Sequence, residues 1–165
     1  MRTIIRIITA LLSFALSLGA VDLRTSNLGI EFIRSFEGCY LRAYKCPAGV
    51  WTIGVGNTSK AKPGMTITKE TAIIWLQEDC RRFERHVNTN CNRQLNQTKY
   101  DALVSFTFNC GYRIRGNLRT ALNIGEDETV CSLISQYVHA KGKVLKGLER
   151  RRKAEIKLYK NGLYR

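Results

Sequence analysis

The sequence predicts an α+β fold in one domain, with one β-hairpin and a mainly helical remainder. Three observations predict it. Between Val50 and Gly56 the chain alternates, with Trp51, Ile53 and Val55 on one side and Thr52 and Gly54 on the other, which is the period of a strand. Through most of the remaining chain the apolar residues recur at steps of three and four, the period of a helix. With 165 residues, two prolines, no repeat and no linker, the chain has room for one domain with a real core.

The elements follow in order. From Ser26, residues Leu28, Phe32, Ile33 and Phe36 keep helical spacing, with Thr25 or Ser26 as N-cap and Gly38 as the stop. Glu37 thus falls on the last turn, a helix-end setting beside Phe36 that suits a general acid. A hairpin then runs from Tyr40 to Gly56, its tip at Cys46-Pro47 and closed by Ala48-Gly49. Thr52 is expected on the open face of the second strand, where Gly54 and Gly56 leave room for a ligand. Thr68 caps a helix whose Ile73, Leu76, Cys80, Phe83 and Val87 form one buried stripe. Thr98 and Asp101 make a Thr-x-x-Asp start for a central helix that is apolar on nearly all sides from Ala102 to Phe108. Shorter helices are expected around Leu118 to Asn123, Val130 to His139 and Leu148 to Lys160. The run Arg150-Arg151-Arg152-Lys153 reads as a solvated helix face.

Glu37, Cys46 and Thr52 carry the chemistry. An acid is followed nine residues on by a second ionisable group and six further on by a hydroxyl. Such a set can protonate a leaving group and activate a water from two sides, the logic of glycoside hydrolysis. The surrounding run, Ala43-Tyr44-Lys45-Cys46-Pro47-Ala48-Gly49-Val50-Trp51-Thr52-Ile53-Gly54, resembles the catalytic segment of the phage-type lysozymes, or endolysins. The likeness continues through Tyr100 to Gly111, Leu122 to Gly125 and Gly147 to Arg152. Asn57, Tyr137 and Lys141 depart from the family's common His, Trp and Gly, and most members carry Asp where Cys46 stands.

The resemblance implies an α+β lysozyme-like fold, a small β-hairpin lobe and a larger helical lobe with the substrate cleft between, and hydrolysis of the β-1,4 bond between N-acetylmuramic acid and N-acetylglucosamine in peptidoglycan, causing host lysis. It implies Glu37 as general acid, Cys46 as a thiolate in the place of Asp, Thr52 as holder of the water, and an inverting outcome. A catalytically inactive peptidoglycan-binding relative and a cationic membrane-disrupting protein are the rival readings.

The N-terminus suggests export. Arg2 and Arg6 precede an uncharged stretch from Ile7 to Val21, which as a helix reaches ~22 Å, short of a ~30 Å hydrocarbon core. Residues 1–21 therefore read as a signal-anchor that releases intact, the signal-arrest-release type found among endolysins, or as a cleaved signal. Residues 22–165 form the catalytic domain. A transient inner-membrane association through the leader and a periplasmic destination follow, with a secreted form as the alternative.

Cys39, Cys46, Cys80, Cys91, Cys110 and Cys131 agree with export, because disulfides persist outside the cytosol. The resemblance implies a Cys39–Cys46 bond acting as a safety catch, and the even count then leaves Cys80, Cys91, Cys110 and Cys131 for two structural bridges, taken as 80–91 and 110–131. No cysteine lies in residues 1–38 to open the catch. No Cys/His metal spacing occurs, and His86 and His139 read as surface or half-buried, so no metal or cofactor is expected. The net charge of +14 implies an anionic partner such as a phosphate-bearing cell wall. Nucleic acid is not expected, because no aromatic-interleaved basic module is present. The enzyme is expected to act as a monomer.

Overall fold

The computed structural model describes residues 23–46, 48–140 and 142–165. The leader 1–21 and its two readings lie outside the described residues, as does Lys141. Helix α1 (Asn27–Glu37) begins where expected: Ser26 is its N-cap and accepts from the Gly29 N–H. Gly38, at φ 74°, ends it. Strands β1 (Tyr40–Lys45) and β2 (Trp51–Gly54) then pair antiparallel. The hairpin tip forms through Cys46 N–H to the Val50 carbonyl, 2.9 Å, and Gly49 N–H to the Cys46 carbonyl, 2.7 Å.

Midway along β1 the register slips between Tyr40 and Tyr44. There Ala43 N–H donates to Met65 and the Leu41 carbonyl accepts from Ile67 N–H, so a third segment braces the hairpin from outside.

The helical lobe comprises α2 (Lys69–Asn90), α3 (Gln97–Cys110), α4 (Gly116–Ile124), α5 (Asp127–Ser135) and α6 (Lys146–Asn161). Thr68 caps α2 as predicted, and Leu76, Cys80, Phe83 and Val87 are buried, with Ile73 at the edge. α3 is the central helix, buried from Tyr100 through Thr107.

Its cap differs from expectation. Asn96, not Thr98, accepts the Lys99 N–H, because Asp101 is already engaged elsewhere. Asp101 accepts from Ser26 N–H (3.0 Å), Ser26 Oγ (2.5 Å), Gln97 Nε2 (2.9 Å) and Tyr164 Oη (2.7 Å). It thereby ties the start of α1 to the C-terminal end of the chain. Gly29 is needed beside it, since a Cβ there would sit 2.6 Å from the Asp101 carboxyl carbon.

α5 stops at Ser135, four residues short of the predicted end. A small hairpin of β3 (His139–Ala140) and β4 (Lys143–Val144), which alternation did not reveal, leads into α6. Two-residue strands are too short to carry a period.

Candidate active site

Glu37 sits on the last turn of α1 with its carboxylate 28% exposed, and its partner is Arg151 of α6, whose Nη1 donates to Oε1. The carboxylate therefore faces a guanidinium rather than an apolar wall, and Phe36 packs against that same guanidinium. Arg151 is 4% exposed and is held from behind. Its Nε donates to Glu155 Oε1 at 3.1 Å and its Nη2 to the Ser105 carbonyl at 3.3 Å. Glu155 and Arg152, each 1% exposed, complete the cluster at 2.8 Å, and Ser105 Oγ donates to Glu155 at 2.7 Å.

This corrects the reading of the basic run as a solvated face. Arg151 and Arg152 turn inward, while Arg150 and Lys153 remain exposed. The signal that separates them is the helical stripe. Positions 151/152, 155 and 158/159 step by three and four, so the charges occupy core positions and had to be paired.

Cys46 and Thr52 meet at the hairpin tip. The Val50 and Ala48 backbone N–H groups and the Thr52 hydroxyl hydrogen-bond the Cys46 sulfur and hold its pKa below that of an ordinary thiol. The Thr52 hydroxyl also donates to the Val50 carbonyl at 3.2 Å, and with one proton it serves one acceptor at a time.

Thr52 is not on an open face; it is 4% exposed. Ile67 and Ala72 lie 3.4 and 3.6 Å from where a Cβ on Gly54 would stand, so the room at Gly54 admits α2 rather than a ligand. Among the described residues no hydrogen bond or ion pair joins Glu37 to Cys46 or Thr52; the acid and the hairpin pair are positioned by separate elements.

The remaining thiols behave differently. Burial raises the pKa of Cys80, to about 12, and also raises those of Cys91, Cys110 and Cys131. Iodoacetamide at neutral pH is therefore expected to modify Cys46 ahead of these four, with Cys80 last, as read by peptide mass mapping over time. Thr52→Val should move the pH midpoint of Cys46 alkylation upward, since it removes a donor to the thiolate.

All six cysteines are free in this structure. Cys80 and Cys91 lie eleven residues apart on α2 and at its C-cap, ~16 Å by helical rise, against a ~7 Å Cα limit for a disulfide. The 80–91 bridge is therefore corrected. Nor does the structure join 110 to 131: Cys110 accepts from Arg152 Nη1 at 2.6 Å, and Cys131 is a buried free thiol. Cys39 and Cys46 flank opposite ends of β1, roughly 23 Å apart by strand rise, so a bond between them requires the hairpin to refold.

Other polar residues have structural partners. Asn57, buried, bonds Asp79 at 3.0 Å and closes the end of β2 onto α2. His86 Nε2 accepts from Ile114 N–H at 3.2 Å, in keeping with a half-buried structural histidine.

The comparisons agree with this geometry. Residues 34–155 match the family described as phage lysozyme. An endolysin of Acyrthosiphon pisum secondary endosymbiont phage 1 is 34% identical over 142 residues, covering 82% of this chain and 97% of the relative. A SAR-endolysin of Haemophilus phage HP1 is 33% identical, covering 80% of this chain and 78% of the relative. The solved active form of the P1 phage endolysin superposes with a TM-score of 0.74 at 27% identity, covering 94% of each chain. The secreted inactive form of that enzyme gives 0.55, covering 84% of this chain and 97% of the other.

Proposed function

We propose, from the premise that this chain belongs to the phage lysozyme family, that Glu37, Cys46 and Thr52 carry out its reaction. The chain is a peptidoglycan-hydrolysing endolysin, a muramidase of α+β lysozyme-like fold. Its substrate bond is the β-1,4 link between N-acetylmuramic acid and N-acetylglucosamine. The observation that carries the residue assignment is the pairing at the hairpin tip, where a thiol with lowered pKa and a buried hydroxyl occupy the positions spaced for the family's second catalytic group.

Glu37 protonates the glycosidic oxygen as the bond to the anomeric carbon breaks. The carboxylate charge that results is received by Arg151. The Cys46 thiolate takes a proton from water, or stabilises the cationic sugar, while Thr52 orients that water. Purified peptidoglycan in a turbidity-clearing assay tests this directly: Cys46→Ser should lose most activity, and Cys46→Asp should retain it over a lower pH range. A Cys46→Ser enzyme as fast as wild type would remove the thiol from the mechanism.

Relatives described as SAR-endolysins support export to the periplasm. Among the described residues no helix is long and apolar enough to cross a membrane. The tether is assigned to residues 1–21, retained and released intact. The mass of the exported protein checks this; a product lacking residues 1–17 or 1–19 would mean a cleaved signal.

The Cys39–Cys46 catch is a second, oxidised conformation, since this one cannot accommodate it. The poorer match to the P1 enzyme's inactive form supports a hairpin that refolds. Reductant should activate oxidised wild type several-fold and leave Cys39→Ser unchanged; equal rates for the two without reductant would remove the catch.

A further inference from the structure

The exposed side of α6 carries a feature that the hydrolysis does not use. Lys146, Arg150, Lys153, Lys157 and Lys160 step by four, three, four and three residues, which gathers five cations into an arc of ~80° along ~21 Å of helix. All five are exposed, and they lie opposite the face that buries Arg151, Arg152, Glu155, Leu158 and Tyr159. Lys160 is paired with Glu128 at 2.6 Å, but Lys146, Arg150, Lys153 and Lys157 have no ion-pair partner among the described residues. The helix has two acids. Glu155 is buried in the arginine cluster, and Glu149 is half-buried at the edge of the stripe.

A row of like charges on one helical face is self-repelling, so it costs stability unless something anionic lies against it. Val144 and Leu145, exposed at 50% and 43%, immediately precede the stripe, with Lys143 exposed beside them. Cations in a line with aliphatic side chains at one end match the chemistry of a lipid interface, where phosphates meet the first acyl carbons. A soluble polyanion would engage the cations and leave the aliphatic residues in water.

We infer that the outer face of α6 docks on an anionic phospholipid surface, with the helix axis parallel to it. The bilayer stays intact and is used as a platform. In this pose the side of α6 bearing Arg151, and through it Glu37, is turned from the lipid and toward the wall. The inference holds whichever residues perform the cleavage.

Full-length protein and two variants can be tested against vesicles of phosphatidylglycerol mixed with phosphatidylcholine, and against phosphatidylcholine alone. Cys and leader are common to all three proteins, so they cancel in the comparison. Replacing Lys146, Arg150, Lys153 and Lys157 by Gln should reduce the preference for phosphatidylglycerol by ~10–100-fold and flatten its salt dependence. A matched variant, with Gln at the exposed Arg81, Arg85, Arg115 and Arg119, removes the same charge and should retain most of that preference. Unchanged thermal unfolding in both variants checks the fold. Equal losses in the two variants would reduce the effect to net charge and overturn the docking face. So would a stripe variant that keeps vesicle binding and loses only binding to immobilised teichoic acid, which would make the occupant a wall polymer.

Discussion

Glu37→Gln is expected to eliminate measurable clearing of purified peptidoglycan while leaving the fold intact. The substitution keeps the size of the side chain and an oxygen that can accept from Arg151, but it removes the proton to be donated. General acid–base participation alone contributes roughly 10²–10⁴-fold, and a leaving-group oxygen with no proton donor bears most of that loss. The measurement is initial rate on sacculi, alongside circular dichroism and an unfolding midpoint, since Arg151 loses an ionic partner and a small stability change is expected. Substantial hydrolysis by the folded variant would sink the assignment. Lysis of whole cells that persists without peptidoglycan cleavage would instead point to membrane disruption.

The fold was largely legible because its signals are local. Ser26 and Thr68 cap where their side chains could reach the N–H three residues on, and Gly38 stops α1 by adopting a positive φ. The hairpin tip followed from Pro47 and Gly49. What escaped depended on distant partners. Thr98-x-x-Asp101 has the form of a cap, yet Asp101 is committed to Ser26 and Tyr164, 75 and 63 residues away. Alternation in β2 reported the pleat correctly but said nothing of α2 covering the second face, so Thr52 looked open when it is buried. Spacing likewise located Glu37 and Cys46 but not the guanidinium facing the acid. Arg151 looked like surface charge until the stripe through Glu155 and Leu158 showed where α6 turns inward. Cysteine count suggested bridges, whereas helical rise along α2 forbids the 80–91 pair.

The second large effect is expected at Glu155, the hub behind the site. It neutralises Arg152, which is 1% exposed and has no other carboxylate partner among the described residues, and it anchors Arg151 through Nε. Glu155→Leu leaves a buried guanidinium with only Asn109 and the Cys110 sulfur as partners. Breaking one side of a buried ion pair costs about 3–5 kcal/mol, a large share of the ~5–15 kcal/mol that holds a domain of this size together. Urea unfolding should show the unfolding free energy fall by that amount, with the midpoint lowered accordingly. The double variant Arg152→Met/Glu155→Leu discriminates the cause. If the loss comes from the stranded charge, an apolar pair of similar volume should be more stable than the single variant, because the desolvation cost disappears with the charge. A double variant no better than the single would mean that packing around Phe106 and Ser105, not charge, governs the site. Activity gives a further readout. Arg151 in either variant retains Ser105 but loses its anchor at 3.1 Å, so Glu37 should be less firmly placed and hydrolysis slower even where the protein is fully folded.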